Sequence, residues 1–218
     1  MDLPSLDTPE YGLVAVGSLA NEHARLSEFT YANADLRELA LSEGQLVAGR
    51  ITAVRSQRAF FENLRLHSVE FSGCDLGDLR WHGGKISRVR FSSCKLLGAA
   101  LDELVLEHVL FENCKLDYAT LERIRCAGPV IFSRCSLGEA RFAGCDLTGA
   151  CFDACGMKLT EFDGGSYRDC DLRGNDLSHI RGIPSLRQIV IGRAQALQLA
   201  EALAAELDVT YGDDTRDE

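Results

Sequence analysis

No stretch of the chain approaches eighteen uninterrupted apolar residues, and no basic segment followed by an apolar run stands near its start. The sequence therefore reads as having neither a membrane span nor a secretory signal, and the cytosol is the expected compartment. The usual marks of catalysis are missing too. There is no GxSxG, P-loop pattern, GxGxxG, HExxH or CxxC pair, so nucleophile elbows, phosphate cradles, dinucleotide sites and zinc sites lose their common signatures. The histidines, His23, His67, His82, His108 and His179, are scattered and read as surface residues. Adjacent carboxylates occur at Asp102 and Glu103, but flat strands offer no evident pocket for acid and base work. The expectation is a protein that is not an enzyme and needs no metal or cofactor.

What the sequence does contain is a period of five. Every fifth residue from Leu26 to Cys126 is apolar, Ser56 excepted, and after one inserted residue near Pro129 the count resumes from Phe132 to Leu177. Five fits neither the helical period nor the strand period, so the stretch from Ala24 to Leu177 is an internal repeat. The residue two places before each large one is usually small. Cys74, Cys94, Cys114, Cys135 and Cys155 repeat every 20 residues, with a single step of 21 at the insertion, and Phe71, Phe91, Phe111, Phe132 and Phe152 share that spacing and that slip. Two independent columns at one period imply four pentads per turn, with like residues stacked into core ladders.

Runs such as Cys74-Asp75-Leu76, Cys145-Asp146-Leu147, Cys170-Asp171-Leu172 and Asn175-Asp176-Leu177 resemble the pentapeptide-repeat family, whose pattern is A/C-D/N-L/F-x-x. The resemblance implies an all-β solenoid, a right-handed quadrilateral β-helix with the central Leu or Phe and the preceding small residue both pointing inward. Strand spacing makes that about eight coils and a rod of roughly 40 Å. Leu39, Leu64, Leu79 and Ile124 stand where a small residue is expected, and Ser56 where a large one is, so those coils are expected to be widened or irregular. The ladder cysteines behave as small hydrophobes, and parallel stacking holds them too far apart for disulfides, so free buried thiols are expected. Cys155 is inward and Cys151 outward, which argues against a shared metal.

A solenoid has raw ends that need covering. Residues 1–23 read as an N-terminal cap, with Tyr11 to Val16 extended; residues 24–180 form the β-helix; residues 181–211 form a strand and helix module; residues 212–218 are an acidic tail. Leu186 to Ile191 reads as a strand, Arg193 to Leu207 as a helix and Asp208 to Tyr211 as a final short strand. Leu199, Leu203 and Leu207 fall on one helical stripe. That stripe suits a lid on the last coil and also a two-fold contact. The second use is what the resemblance implies, since quinolone-resistance (Qnr-type) members of the family dimerise through a C-terminal helical module.

Charge is unevenly placed. The net charge of −10 is concentrated at the termini and in the C-terminal half of the repeat. The face built on Leu41, Phe61, Trp81, Leu101, Leu121, Phe142 and Phe162 carries Glu43, Glu62, Asp102, Glu103, Glu122, Glu161 and Asp163 against Arg80, Arg123 and Arg141. The next face, with Arg65, Lys85, Arg88, Arg125 and Arg168, is basic. An acidic stripe is either a solvated face or a surface that repels nucleic acid and attracts a basic groove. The resemblance implies the latter: a homodimer that imitates duplex DNA, occupies the DNA-binding saddle of DNA gyrase or topoisomerase IV, and protects it from quinolones or toxins. Its contact residues would be Glu62, Asp102, Glu103, Glu122, Glu161 and Asp163. The rival reading is an interaction scaffold whose partner the sequence does not name.

Overall fold

The computed structural model describes residues 12–19, 25–210 and 212. The chain winds as a parallel β-solenoid of about seven turns, closed at its C-terminal end by one helix, Gln195–Glu206. Leu26 lies beside Leu46, which lies beside Leu66, then Ile86 and Leu106, each strand pairing in parallel with the strand one turn away.

The five-residue period makes a four-sided coil because each pentad contains a short extended piece and one sharp corner. The corner falls two residues after the large inward side chain, where the backbone enters the left-handed region at Glu28, Asn33, Glu43, Ala48 and Ala53, and again at Arg134, Glu139, Gly144 and Gly149. That conformation costs an L-residue about 1–2 kcal/mol. It persists because the pieces on either side are pinned to neighbouring turns.

Both expected ladders are present. Phe71, Phe91, Phe111, Phe132 and Phe152 stack with ring centroids 4.8–4.9 Å apart, close to the strand spacing. Every cysteine is a free thiol. Cys114 donates its S–H to the Phe91 carbonyl at 3.3 Å, Cys135 to that of Phe111 at 3.3 Å and Cys155 to that of Phe132 at 3.3 Å. Each thiol thus fills the small slot and satisfies a weak donor. The insertion is a bulge: Leu106 pairs with Cys126 but Val109 pairs with Val130, one residue further on. Pro129 sits inside it, where its carbonyl accepts the Val109 N–H at 3.0 Å and its missing N–H costs no bond.

Two of the large residues in small slots have glycine beside them. Leu64 is buried between Gly44 and Gly84, the glycines one turn either side of it. At Gly84, where φ is +115°, a Cβ would stand 2.2 Å from the Leu64 carbonyl oxygen. Phe29 likewise fills a small slot, and a Cβ on Gly49 would meet its ring at 2.1 Å. Ser56 is buried and donates its hydroxyl to the Arg58 carbonyl at 2.5 Å. No left-handed corner forms at position 58, nor at its paired neighbour Glu38 one turn away.

At the N-terminal end, Val14–Ala15 adds a short parallel strand beside Phe29 and Thr30. Beyond it the Val16 N–H donates to the Thr30 carbonyl at 3.0 Å and Leu19 is buried; Tyr11, the other residues of the expected cap before 12 and after 19, and the acidic tail from Asp213 lie outside the described residues. At the other end the expected strand Leu186 to Ile191 does not form. Gly182 and Gln188 take left-handed backbone, Ile183–Ser185 is a 3-10 turn, and an isolated bridge from Asp171 to Val190 is the only ladder pairing there among the described residues. No strand follows the helix through Thr210 either, since Asp208 is left-handed; Tyr211 is not described.

Candidate partner-binding surfaces

Strand pairing settles the layout of the acidic face. Glu62 lies beside His82, His82 beside Asp102, Asp102 beside Glu122, and Asp163 two turns beyond in the same column. Glu103 stands at the left-handed corner next to Asp102, and Glu161 on the other flank, beside Arg141. All six expected carboxylates share one side of the coil.

They do not form an unbroken row of free charge. Arg123 reaches Asp102 at 2.6 Å, Glu103 at 3.0 Å and Glu122 at 3.4 Å. His82 places Nδ1 3.1 Å from Asp102. Arg141 pairs with Asp163 and lies 3.7 Å from Glu161. Desolvation works against the Arg123 guanidinium, yet Asp102, then Glu103 and Glu122, raise it above its ordinary range. Hydrogen bonding to Asp163, then the charge of Glu161, does the same for Arg141. The arginines hold the carboxylates in place and leave each cluster net negative. Because these pairs are exposed, they contribute little stability. Their effect is to fix where the charge sits.

The opposite sign appears on the neighbouring face. Arg65 and Lys85 are paired neighbours there, and Lys85 reaches Glu107 at 2.5 Å. Hydrogen bonding to Lys85 is the largest cause of the lowered pKa of Glu107.

The C-terminal helix forms from a run of strong helix formers, QALQLAEALAAE, and it closes the solenoid with polar side chains. Gln195 is buried: its Nε2 donates to the carbonyls of Leu172 at 2.9 Å and Asn175 at 2.8 Å, and its Oε1 accepts the Gly192 N–H at 2.6 Å. Gln198 accepts the Leu177 N–H at 3.1 Å, and Glu206 accepts those of Gly182 and Ile183 at 3.2 and 3.1 Å. These are the ladder groups a raw edge would leave unpaired. The leucine stripe is divided between two environments. Leu199 packs on the core, Leu203 is half-buried, and Leu207 is 62% exposed together with Leu197 at 67%.

Among the described residues, no group of three or more His, Cys, Asp or Glu is arranged to hold a metal ion, and no helix is long and apolar enough to cross a membrane. Residues 130–155 match the family model for pentapeptide repeats, which finds eight copies. The chain carries pentapeptide repeats on a parallel β-solenoid. A trypsin-treated variant of QnrB1, a plasmid-mediated fluoroquinolone resistance protein, aligns with this pentapeptide-repeat chain over 88% of its length and 98% of the variant's own, at TM-score 0.50 and 15% identity. Full-length QnrB1 aligns over 82% and 89% respectively, at TM-score 0.41 and 15% identity. At such identity the likeness is one of fold. No curated protein matches the pentapeptide-repeat sequence at a significant level.

The left-handed corner two residues after most of the large side chains was not read from the sequence. Glycine and asparagine at Asn33, Asn63, Gly73, Gly98 and Asn113 could have revealed it, but Glu, Arg, Tyr and Leu occupy the same slot and dilute the pattern.

Proposed function

We propose that the protein is a DNA mimic that binds the DNA-binding surface of a type II topoisomerase, DNA gyrase or topoisomerase IV, and alters its response to quinolones or toxins. The observation that carries this reading is the cluster of Asp102, Glu103 and Glu122, ordered by Arg123 on a rigid rod and followed along the same face by Glu161 and Asp163. Proteins that bind duplex DNA do so largely through cations set against regularly spaced phosphates. Fixed carboxylates on neighbouring strands, roughly 4.8 Å apart, offer those cations a substitute. The fold shared with a fluoroquinolone resistance protein supports the choice of partner by analogy. In this reading the protein acts in the cytosol as a homodimer joined through the exposed side of the C-terminal helix, near Leu207.

The test is a gyrase supercoiling assay titrated with purified protein, with and without a fluoroquinolone. The expected result is inhibition of supercoiling, or relief of drug-stabilised cleavage, at stoichiometric protein. Changing Asp102, Glu103 and Glu122 together to Lys should abolish the effect and flatten its salt dependence. No effect of the wild-type protein on gyrase or topoisomerase IV would reject the proposal and leave an interaction scaffold.

A further inference from the structure

Tyr118 occupies a left-handed corner with φ +60°, and it is 62% exposed. Its backbone N–H is bonded to the Gly138 carbonyl at 2.9 Å, so the corner itself is well made. The ring, however, stands in water at a backbone angle that Gly or Asn adopts more easily. Other non-glycine residues share this corner in the repeat, but among the described residues Tyr118 is the one tyrosine, phenylalanine or tryptophan that occupies it, with its ring exposed.

The surroundings point to what it contacts. One turn earlier, on the same edge, Leu97 is 47% exposed. The Gly98 N–H donates to the Asp117 carbonyl at 2.9 Å, which sets Leu97 and Gly98 alongside Asp117 and Tyr118. Gly98 has open space where a Cβ would be. The Asp117 carboxylate is turned away, engaged by the Ser136 hydroxyl and by the Gly138 N–H at 2.9 Å. Ala100 and Thr120 are paired neighbours that continue the uncharged strip. The turn before holds the Asp78–Arg80 pair at 2.7 Å, and the turn after holds Glu139 and Arg141, so the strip is two turns wide.

From this strip the same two strands run directly into Asp102 and Glu122, themselves paired neighbours. Glu122 lies four residues beyond Tyr118, roughly 13 Å of extended chain. Apolar anchor and carboxylates are therefore parts of one surface.

We infer that Leu97 and Tyr118 form the apolar anchor of the partner-binding face, and that its occupant is a cationic protein surface presenting an apolar side chain or pocket roughly 13 Å from its basic groups. This deepens the topoisomerase reading and rests on it. The carboxylates select the partner's charge and speed encounter, and the anchor sets how long the complex lasts. Duplex DNA does not fit, because Asp102, Glu103 and Glu122 would repel its phosphates.

The experiment measures association and dissociation of full-length protein with purified gyrase at two salt concentrations. Tyr118→Asn suits the left-handed corner, so its melting temperature should be unchanged or higher. Combined with Leu97→Ser, it should raise the dissociation rate about tenfold, leaving association and its salt dependence alone. A purely structural role for Tyr118 would instead lower the melting temperature. Asp102→Lys with Glu103→Lys and Glu122→Lys should slow association and flatten the salt dependence. If the Tyr118 and Leu97 double variant dissociates within twofold of wild type while the lysine variant fails to bind, the anchor is refuted and the acidic-face reading stands. If neither variant changes binding, or wild-type protein does not bind gyrase, the reading and the anchor fall together.

Discussion

Replacing Phe111 with Ala tests whether the ring ladder holds the two halves of the rod together. Phe111 is buried, with Phe91 at 4.8 Å and 6° on one side and Phe132 at 4.9 Å and 4° on the other. Removing a buried phenylalanine costs about 3–5 kcal/mol. Two lost stacks, each worth about 0.5–1.5 kcal/mol beyond area, put this site at the upper end. That is a large part of a total stability of about 5–15 kcal/mol. The loss also falls on one interface between turns, and in a solenoid each turn is held mainly by its neighbours. The halves should then unfold separately. Trp81, the single tryptophan, lies in the N-terminal half against Phe61, 5.0 Å away, so its fluorescence follows that half while far-ultraviolet circular dichroism follows the whole. In urea the two signals should coincide for wild type and separate for Phe111→Ala. Phe71→Ala, with a ring on one side and Ile51 on the other, should cost about 1 kcal/mol less. Coincident curves for Phe111→Ala, or a larger loss at Phe71, would refute the reasoning.

Gly84→Ala should destabilise by at least about 2 kcal/mol, because the new Cβ meets the Leu64 carbonyl, whereas Gly73→Ala, left-handed but open, should cost about 1 kcal/mol; thermal melts compare them. Burial pushes the Cys126 and Cys170 thiols up to about 12 and Cys145 to about 11, so these three should react slowly with a disulfide reagent at pH 8 in the folded protein and readily in guanidinium. Since these folded values lie above the unfolded one, their contribution to stability is complete below about pH 9 and is lost as pH rises toward 12; urea midpoints that fall across that range would bear this out, and flat ones would not. Leu197→Asp with Leu207→Asp should yield a monomer by light scattering without lowering the melting temperature, because both side chains face outward; Leu199→Asp would confound the test by damaging the lid.

The architecture was legible because pentad periodicity is a long-range regularity repeated many times. Phe71 to Phe152 and Cys74 to Cys155 needed only counting. Complementary pairs such as Phe29 with Gly49 were harder, since they are exceptions that make sense only once residues 20 apart are known to touch. The acidic face was legible as a column of charges, but its internal pairing by Arg123 and Arg141 depends on side-chain reach. At the C-terminus, Leu199, Leu203 and Leu207 gave a true helical stripe without saying which of its edges faces the coil. Gln195 and Glu206 decide that by bonding to the open ladder, a choice that hydrophobicity does not record. The false strand at Leu186 to Ile191 had strand composition, but Gln188 turned left-handed within it.

The bulge at Pro129 shows what this geometry permits over evolutionary time. One extra residue is absorbed within a single corner, and every column beyond it resumes its place. A gene for such a rod can gain or lose twenty codons and keep each face in phase, altering only length. A change of five codons would do something different: it would rotate everything downstream by a quarter turn, carrying Glu161 and Asp163 off the side they share with Asp102. Length and the alignment of charge can therefore be selected separately in this chain, by duplications of two different sizes.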